Sequence, residues 1–153
     1  MTDETIPLTE LLAESSIRLD RVASDRDDAI RQTGQALLEA GAIEPGYIDA
    51  MLERENSVST FVGEGVAIPH GTLSGKDLVK KDAIVVLRFP DGVDWDGNDV
   101  AVTVGIAARG NGHIALLSQL ATILLDPEKA ETLRAATEAS QVYELLASDE
   151  DDE

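Results

Sequence analysis

The residues of this chain best suited to chemistry are two histidines and one arginine. There is no cysteine, and the only histidines are His70 and His113. Disulfides, thiolate metal sites and a cysteine nucleophile are therefore excluded. His70 stands in Gly65-Val66-Ala67-Ile68-Pro69-His70-Gly71. A strand-like run stops at a proline, which fixes φ and removes a donor. The glycine after the histidine permits a sharp turn and the close approach of another backbone. Such a turn is expected to hold the imidazole at the end of a strand, exposed and rigidly aimed. The same residues also suit a turn histidine of no chemical consequence.

His113 follows Asn111 by two residues, where a strand gives way to a helix. With Asn111 as N-cap it falls in the first helical turn, where the positive end of the dipole favours a neutral imidazole and can hold an anion. A histidine merely tolerated in a first turn fits as well. Arg54 lies seven residues after Tyr47, on the border of a buried helical stripe, and can reach the end of the sheet. Its guanidinium could fork onto phosphate oxygens, or it could pair with Glu53, Glu55 or the helix dipole. Together these groups are the kit for histidine phosphorylation: a neutral imidazole nitrogen attacks phosphorus while fixed positive groups hold the equatorial oxygens. The chain has no Asp-rich metal loop, no Walker-type glycine loop and no dinucleotide fingerprint. A phosphoprotein is thus the natural donor, in place of a nucleotide bound by this chain.

The elements that must position these residues read as an α/β fold, a single three-layer domain in which helices before and after the strands can cover both faces of one sheet. Thr9 to Glu14 reads as a short helical stretch, and Ser16 to Val22 contains a short alternating segment, Ile17 and Leu19 against Arg18 and Asp20, that suits a strand. Ser24, with Asp27 three residues on, reads as an acidic capping box opening a helix to Ala40. Ala29, Ile30, Thr33, Ala36 and Leu37 share one face of that helix, and Gly41 ends it. A second helix is expected from Pro45 to about Glu55, with Tyr47, Ile48, Met51 and Leu52 as its stripe. Thr60 to Gly71 suits short strands and tight turns. Ala83–Phe89 and Val100–Ala108 read as buried strands, with a turn-rich Pro90–Asp99 between them. Then come a turn at Arg109–Gly112, a helix to Leu125 carrying Ile114, Leu117, Leu120, Ala121 and Leu124 on one face, and helices near Pro127–Ala135 and Ser140–Ala147. The domain is expected over 1–147, with 148–153 as an acidic frayed tail.

The charge balance limits the partners. Thirty acidic residues against twelve basic ones give −18 over 153 residues. Duplex nucleic acid and anionic membranes would repel such a surface. No apolar run is long enough to cross a bilayer, and the acidic N-terminus does not read as a signal peptide, so a cytoplasmic protein without direct membrane insertion is expected. The acids are spread along the chain and only four of the basic residues are lysines. That pattern suits a halophilic cytoplasm, where salt shortens the Debye length to about 3 Å at 1 M.

Two stretches resemble a known family. Arg54-Glu55-Asn56-Ser57, followed by Thr60-Phe61-Val62-Gly63-Glu64-Gly65-Val66-Ala67-Ile68-Pro69-His70-Gly71, and the later Val104-Gly105-Ile106-Ala107-Ala108-Arg109-Gly110-Asn111-Gly112-His113-Ile114, are similar to the signature of the mannitol/fructose-type (type-2) enzyme IIA family of the sugar phosphotransferase system. The resemblance runs from about Leu8 to Leu146 and implies a mixed β-sheet flanked by helices on both sides. It implies that His70 accepts phosphate on Nε2 from the phosphocarrier HPr and passes it to enzyme IIB. It implies that His113 supports His70 without being phosphorylated, that Arg54 helps hold the phosphate, and that no cofactor or metal is used. Enzyme IIB and the membrane enzyme IIC are expected on separate chains. The acidic surface and scarce lysines depart from the family pattern and point to a salt-loving archaeon and a fructose system, whereas the residues around His113 look closer to mannitol-type members. Two other readings remain: a regulatory module whose phosphorylation state controls other proteins without energising transport, and a structural acidic protein in which His70 is replaceable.

Overall fold

The computed structural model describes residues 11–57, 59–71, 77–108 and 120–151. Five strands form one mixed sheet: β1 (Leu12–Arg18), β2 (Phe61–Gly63), β3 (Val66–Ala67), β4 (Ala83–Trp95) and β5 (Asn98–Ala107), in the order β1-β4-β5-β3-β2. β1 runs parallel to β4 and β3 parallel to β5, while the β4–β5 and β2–β3 pairs are antiparallel. Helices α1 (Arg26–Glu39) and α2 (Gly46–Ser57) cover one face. A helical segment at 120–124, α3 (Pro127–Arg134) and α4 (Ala139–Asp151) serve the other. This is the expected three-layer arrangement.

The apolar runs behave as strands buried on both faces. Along β4, Ile84 and Val86 join the core under α3 and α4, while Val85, Leu87 and Phe89 join the core under α1 and α2. On α1 the five residues expected inward are all buried, and Gly41, at φ +77, ends the helix in the left-handed region. β5 lets α1 come close through Gly105, where a Cβ would lie 2.4 Å from Thr33 Cγ2.

Four local expectations are corrected. Leu12–Glu14 belong to strand β1, not to a helix, because pairing with Ile84 and burial of Leu12 outweigh local preference. That strand starts at Leu12 and ends at Arg18, so Leu19 and Asp20 of the expected alternating segment lie beyond it. The helix cap sits one residue later than Ser24: Asp25 Oδ1 accepts the Asp28 N–H at 2.8 Å, and Asp28 Oδ2 accepts the Ser24 N–H at 2.9 Å. The segment after Phe89 is mostly strand. β4 continues through Pro90, which sits exposed within a register shift between Arg88 and Val93 where no ladder donor is needed. The chain then reverses on Asp96-Gly97, both at positive φ, as a two-residue hairpin requires.

The Arg109–Gly112 turn, Ile114, Leu117 and His113 lie outside the described residues. α4 carries the chain through Asp151, so it includes part of the acidic run. Among the described residues no helix is long and apolar enough to cross a membrane.

Candidate active site

The site lies just past the end of β3, beside the last residues of β5, which runs parallel to it. Beyond β3 the chain stays tied to its neighbours: Ile68 N–H donates to the Thr60 carbonyl at 3.0 Å, and Ile106 N–H donates to the Pro69 carbonyl at 3.1 Å. Pro69 has no N–H of its own, so the turn spends its acceptor on β5 and needs no donor there. His70 follows at once. Its Nδ1 stands 2.9 Å from the Ile68 carbonyl oxygen. A carbonyl can only accept, so Nδ1 carries a proton, and in the neutral ring the lone pair is then on Nε2. This is the tautomer a nucleophilic Nε2 needs.

His70 is only 5 % exposed, which corrects the expectation of an exposed turn histidine. A single stretch of sequence does not display that enclosure. The ring still borders a cleft of about 150 Å³ whose walls include Arg54, Thr60, Phe61, Val62 and Ile68. Arg54, half-buried in the last turn of α2, therefore shares one cleft with His70, and the structure brings together two of the three expected site residues. A dianionic group in that space would meet a lone pair from one side and a guanidinium from another.

Two residues that sequence reasoning had not singled out hold this cleft together. Glu55 is buried and turns inward. Its Oε2 accepts the Thr60 N–H at 2.7 Å and the Trp95 indole N–H at 2.9 Å, and its Oε1 accepts the Thr60 hydroxyl at 2.6 Å. It thus links α2, the entry to β2 and the β4–β5 hairpin. The available signal was a carboxylate four residues after Met51, on the buried stripe itself. Tyr47, also on that stripe, accepts the Gly71 N–H at 2.9 Å and donates to the Ile106 carbonyl at 3.2 Å. Burial pushes its phenol above the ordinary tyrosine value, and the bond from Gly71 partly offsets this. Its signal was a tyrosine where a phenylalanine would have filled the same space.

Residues 10–149 match the family model described as phosphoenolpyruvate-dependent sugar phosphotransferase system, EIIA 2. The chain belongs to that family. A mannitol-specific phosphotransferase enzyme IIA component of Staphylococcus aureus is 40 % identical over 140 residues, covering 90 % of this chain and 97 % of that protein. A multiphosphoryl transfer protein of Escherichia coli is 43 % identical over 143 residues, covering 93 % of this chain, which spans only 38 % of that relative's length. Among solved structures, enzyme IIAMTL in its complex with phosphorylated enzyme IIBMTL, from Escherichia coli, superposes with a TM-score of 0.84 at 37 % identity, over 90 % of this chain and 99 % of that one. The EIIA 2 assignment agrees with both the mixed five-stranded sheet and the resemblance carried by the stretch ending in His70.

Proposed function

We propose that this EIIA 2 domain is a phosphocarrier that accepts a phosphoryl group from phospho-HPr on Nε2 of His70 and passes it to enzyme IIB. The observation that carries the reading is the Nδ1–H bond to Ile68 on a ring that borders the Arg54 cleft. In the forward step the Nε2 lone pair forms the new N–P bond while the donor's N–P bond breaks, and that electron pair stays on the donor imidazole. The Nδ1–H bond to Ile68 then stabilises the charge the ring gains. Arg54 holds the equatorial oxygens during both transfers. His113, as the family resemblance implies, supports the loaded ring. Enzyme IIC completes the route in the membrane, and the domain itself works in the cytoplasm. The sugar is mannitol or fructose. The name of the Staphylococcus aureus relative favours the first, and the acidic composition the second.

The test uses HPr, enzyme I and radiolabelled phosphoenolpyruvate, with His70→Gln beside the wild type. A glutamine amide can still donate to Ile68, so the variant isolates chemistry from packing. The wild type should take up acid-labile label and lose it to an added enzyme IIB, the mannitol and fructose forms being compared in parallel. Label on His70→Gln would remove His70 from the role. Label that enters the wild type but reaches neither enzyme IIB would favour the regulatory reading.

The acidic excess is assigned to a salty cytoplasm. At about 0.01 M salt the Debye length is roughly 30 Å, so most acidic pairs repel one another, and at about 1 M it is near 3 Å. Thermal midpoints should climb steeply from dilute buffer toward molar potassium chloride and then level off. A flat or falling midpoint would require a partner-based account of the charge.

A further inference from the structure

Three hydrogen bonds tie the acceptor turn to one residue of β5. The residue before His70 is held directly, because Pro69 accepts the Ile106 N–H at 3.1 Å. The residue after it is held through a side chain: Gly71 N–H donates to the Tyr47 oxygen at 2.9 Å, and that hydroxyl donates to the Ile106 carbonyl at 3.2 Å. Both peptide groups of Ile106 are thus engaged, one on each side of His70. Proline restricts the backbone before the histidine. On the far side glycine permits almost any conformation, so the covalent chain alone does not fix the ring there. Residue 71 must be glycine for this contact, since a Cβ would lie 2.5 Å from Cε1 of the Tyr47 ring.

We propose that Tyr47 is a positioning residue for phosphoryl transfer at His70. Its hydroxyl pins the Gly71 side of the turn to β5, which keeps His70 Nδ1 on the Ile68 carbonyl and Nε2 on the cleft. The inference rests on His70 being the phosphoacceptor. Tyr47 is buried, 4 % exposed, and is not among the residues that border the cleft, so it acts through the backbone of the turn and not on the phosphate.

Tyr47→Phe removes the hydroxyl and keeps the ring. Transfer from phospho-HPr should be followed in single turnovers on the full chain, well below both thermal midpoints. Misplacement of a reacting atom by even an ångström is costly, and the maximal rate should fall by about tenfold with the half-saturating phospho-HPr concentration unchanged. In 15N-labelled protein the wild-type His70 ring should show the single Nδ1–H form, and the variant a mixture of both forms. Gly71→Ala, which pushes on the same contact from the other side, should reproduce both changes. A normal maximal rate in either variant, a change in half-saturation alone, or a slower rate with unaltered His70 ring signals would overturn the positioning role. If the wild type itself carries no phosphate on His70, the phosphocarrier reading fails and this inference with it. A fully active wild type beside an equally active Tyr47→Phe sinks only the inference.

Discussion

The two sides of the sheet hold their helices by different physics. Under α3, α4 and the 120–124 segment the core contact is aliphatic, Leu120, Leu124, Leu133 and Val142 against Ile84, Val86, Val104 and Ile106. Directed bonds lie at its part-buried edges, where the Tyr143 hydroxyl donates to the Leu12 carbonyl at 2.6 Å and the Arg88 guanidinium to the Arg134 carbonyl at 3.3 Å. Under α1 and α2 the core is also apolar, but directed bonds cross it. Thr33 and Thr103 share a hydroxyl bond of 2.8 Å, Tyr47 bridges Gly71 and Ile106, and Glu55 gathers Thr60 and Trp95. Burial of apolar area is non-directional and tolerates small shifts at little cost. A buried hydrogen bond is lost within a few tenths of an ångström and leaves an unsatisfied group behind. The acceptor turn backs onto the second kind of packing. Stability alone could come from either side, but positional accuracy at His70 comes from the α1–α2 side.

That contrast is most exposed at Glu55. Glu55→Ala leaves the Thr60 N–H, the Thr60 hydroxyl and the Trp95 indole without their shared acceptor, and each unsatisfied buried group costs roughly 1–3 kcal/mol, so a loss of about 3–5 kcal/mol is expected. The transfer rate should also fall in the fully folded protein, because Thr60 carries the carbonyl that holds Ile68, and Ile68 holds the His70 ring. Glu55→Gln should recover most of both: its amide oxygen can take the two N–H donors and its NH2 can face the Thr60 hydroxyl. On the other side, Leu146→Ala in α4 should cost about 2–5 kcal/mol, as buried leucines do. Its transfer rate, measured where the protein is folded, should stay at the wild-type value. Urea unfolding and single-turnover transfer on the three variants decide the matter. A slow Leu146→Ala or a fast Glu55→Ala would erase the distinction.

The two sides were also unequally legible in the sequence. Aliphatic packing leaves a periodic trace, so β4 up to Phe89, β5, the inward face of α1 and the inward Leu120 and Leu124 could all be read directly. The Pro69-His70-Gly71 turn and Arg54 were visible as residue types, and the structure places both in one cleft. Directed bonds leave no periodicity. Nothing near Glu55 in the sequence points to Trp95, forty residues away, and the burial of His70 is likewise not readable from its own stretch. The strand from Pro90 to Trp95 was hidden for a related reason: its composition is that of a turn, and only the Asn98–Val100 end of β5, pairing across the hairpin, makes it a strand.

The smallest expected effect is a titration. Burial holds the Tyr47 phenol above its ordinary value of 10.0, with the Gly71 N–H pulling it partly back. The unfolded chain releases this proton first, near the ordinary value, while the folded protein still keeps it. Above that pH the unfolded state binds fewer protons than the folded one, so stability falls as pH rises. Below it both states keep the proton and Tyr47 adds no pH dependence. Tyr143 is present in the wild type and the variants alike, so Tyr47→Phe isolates one phenol. Denaturant midpoints followed from about pH 8 to about pH 11 should decline less steeply for Tyr47→Phe than for the wild type, so the stability gap between them narrows on the alkaline side. Leu146→Ala, which changes only aliphatic packing on the far side of the sheet, should keep the wild-type slope. Parallel slopes for the wild type and Tyr47→Phe would mean that the phenol is not held in the buried, bridging state on which the α1–α2 side depends.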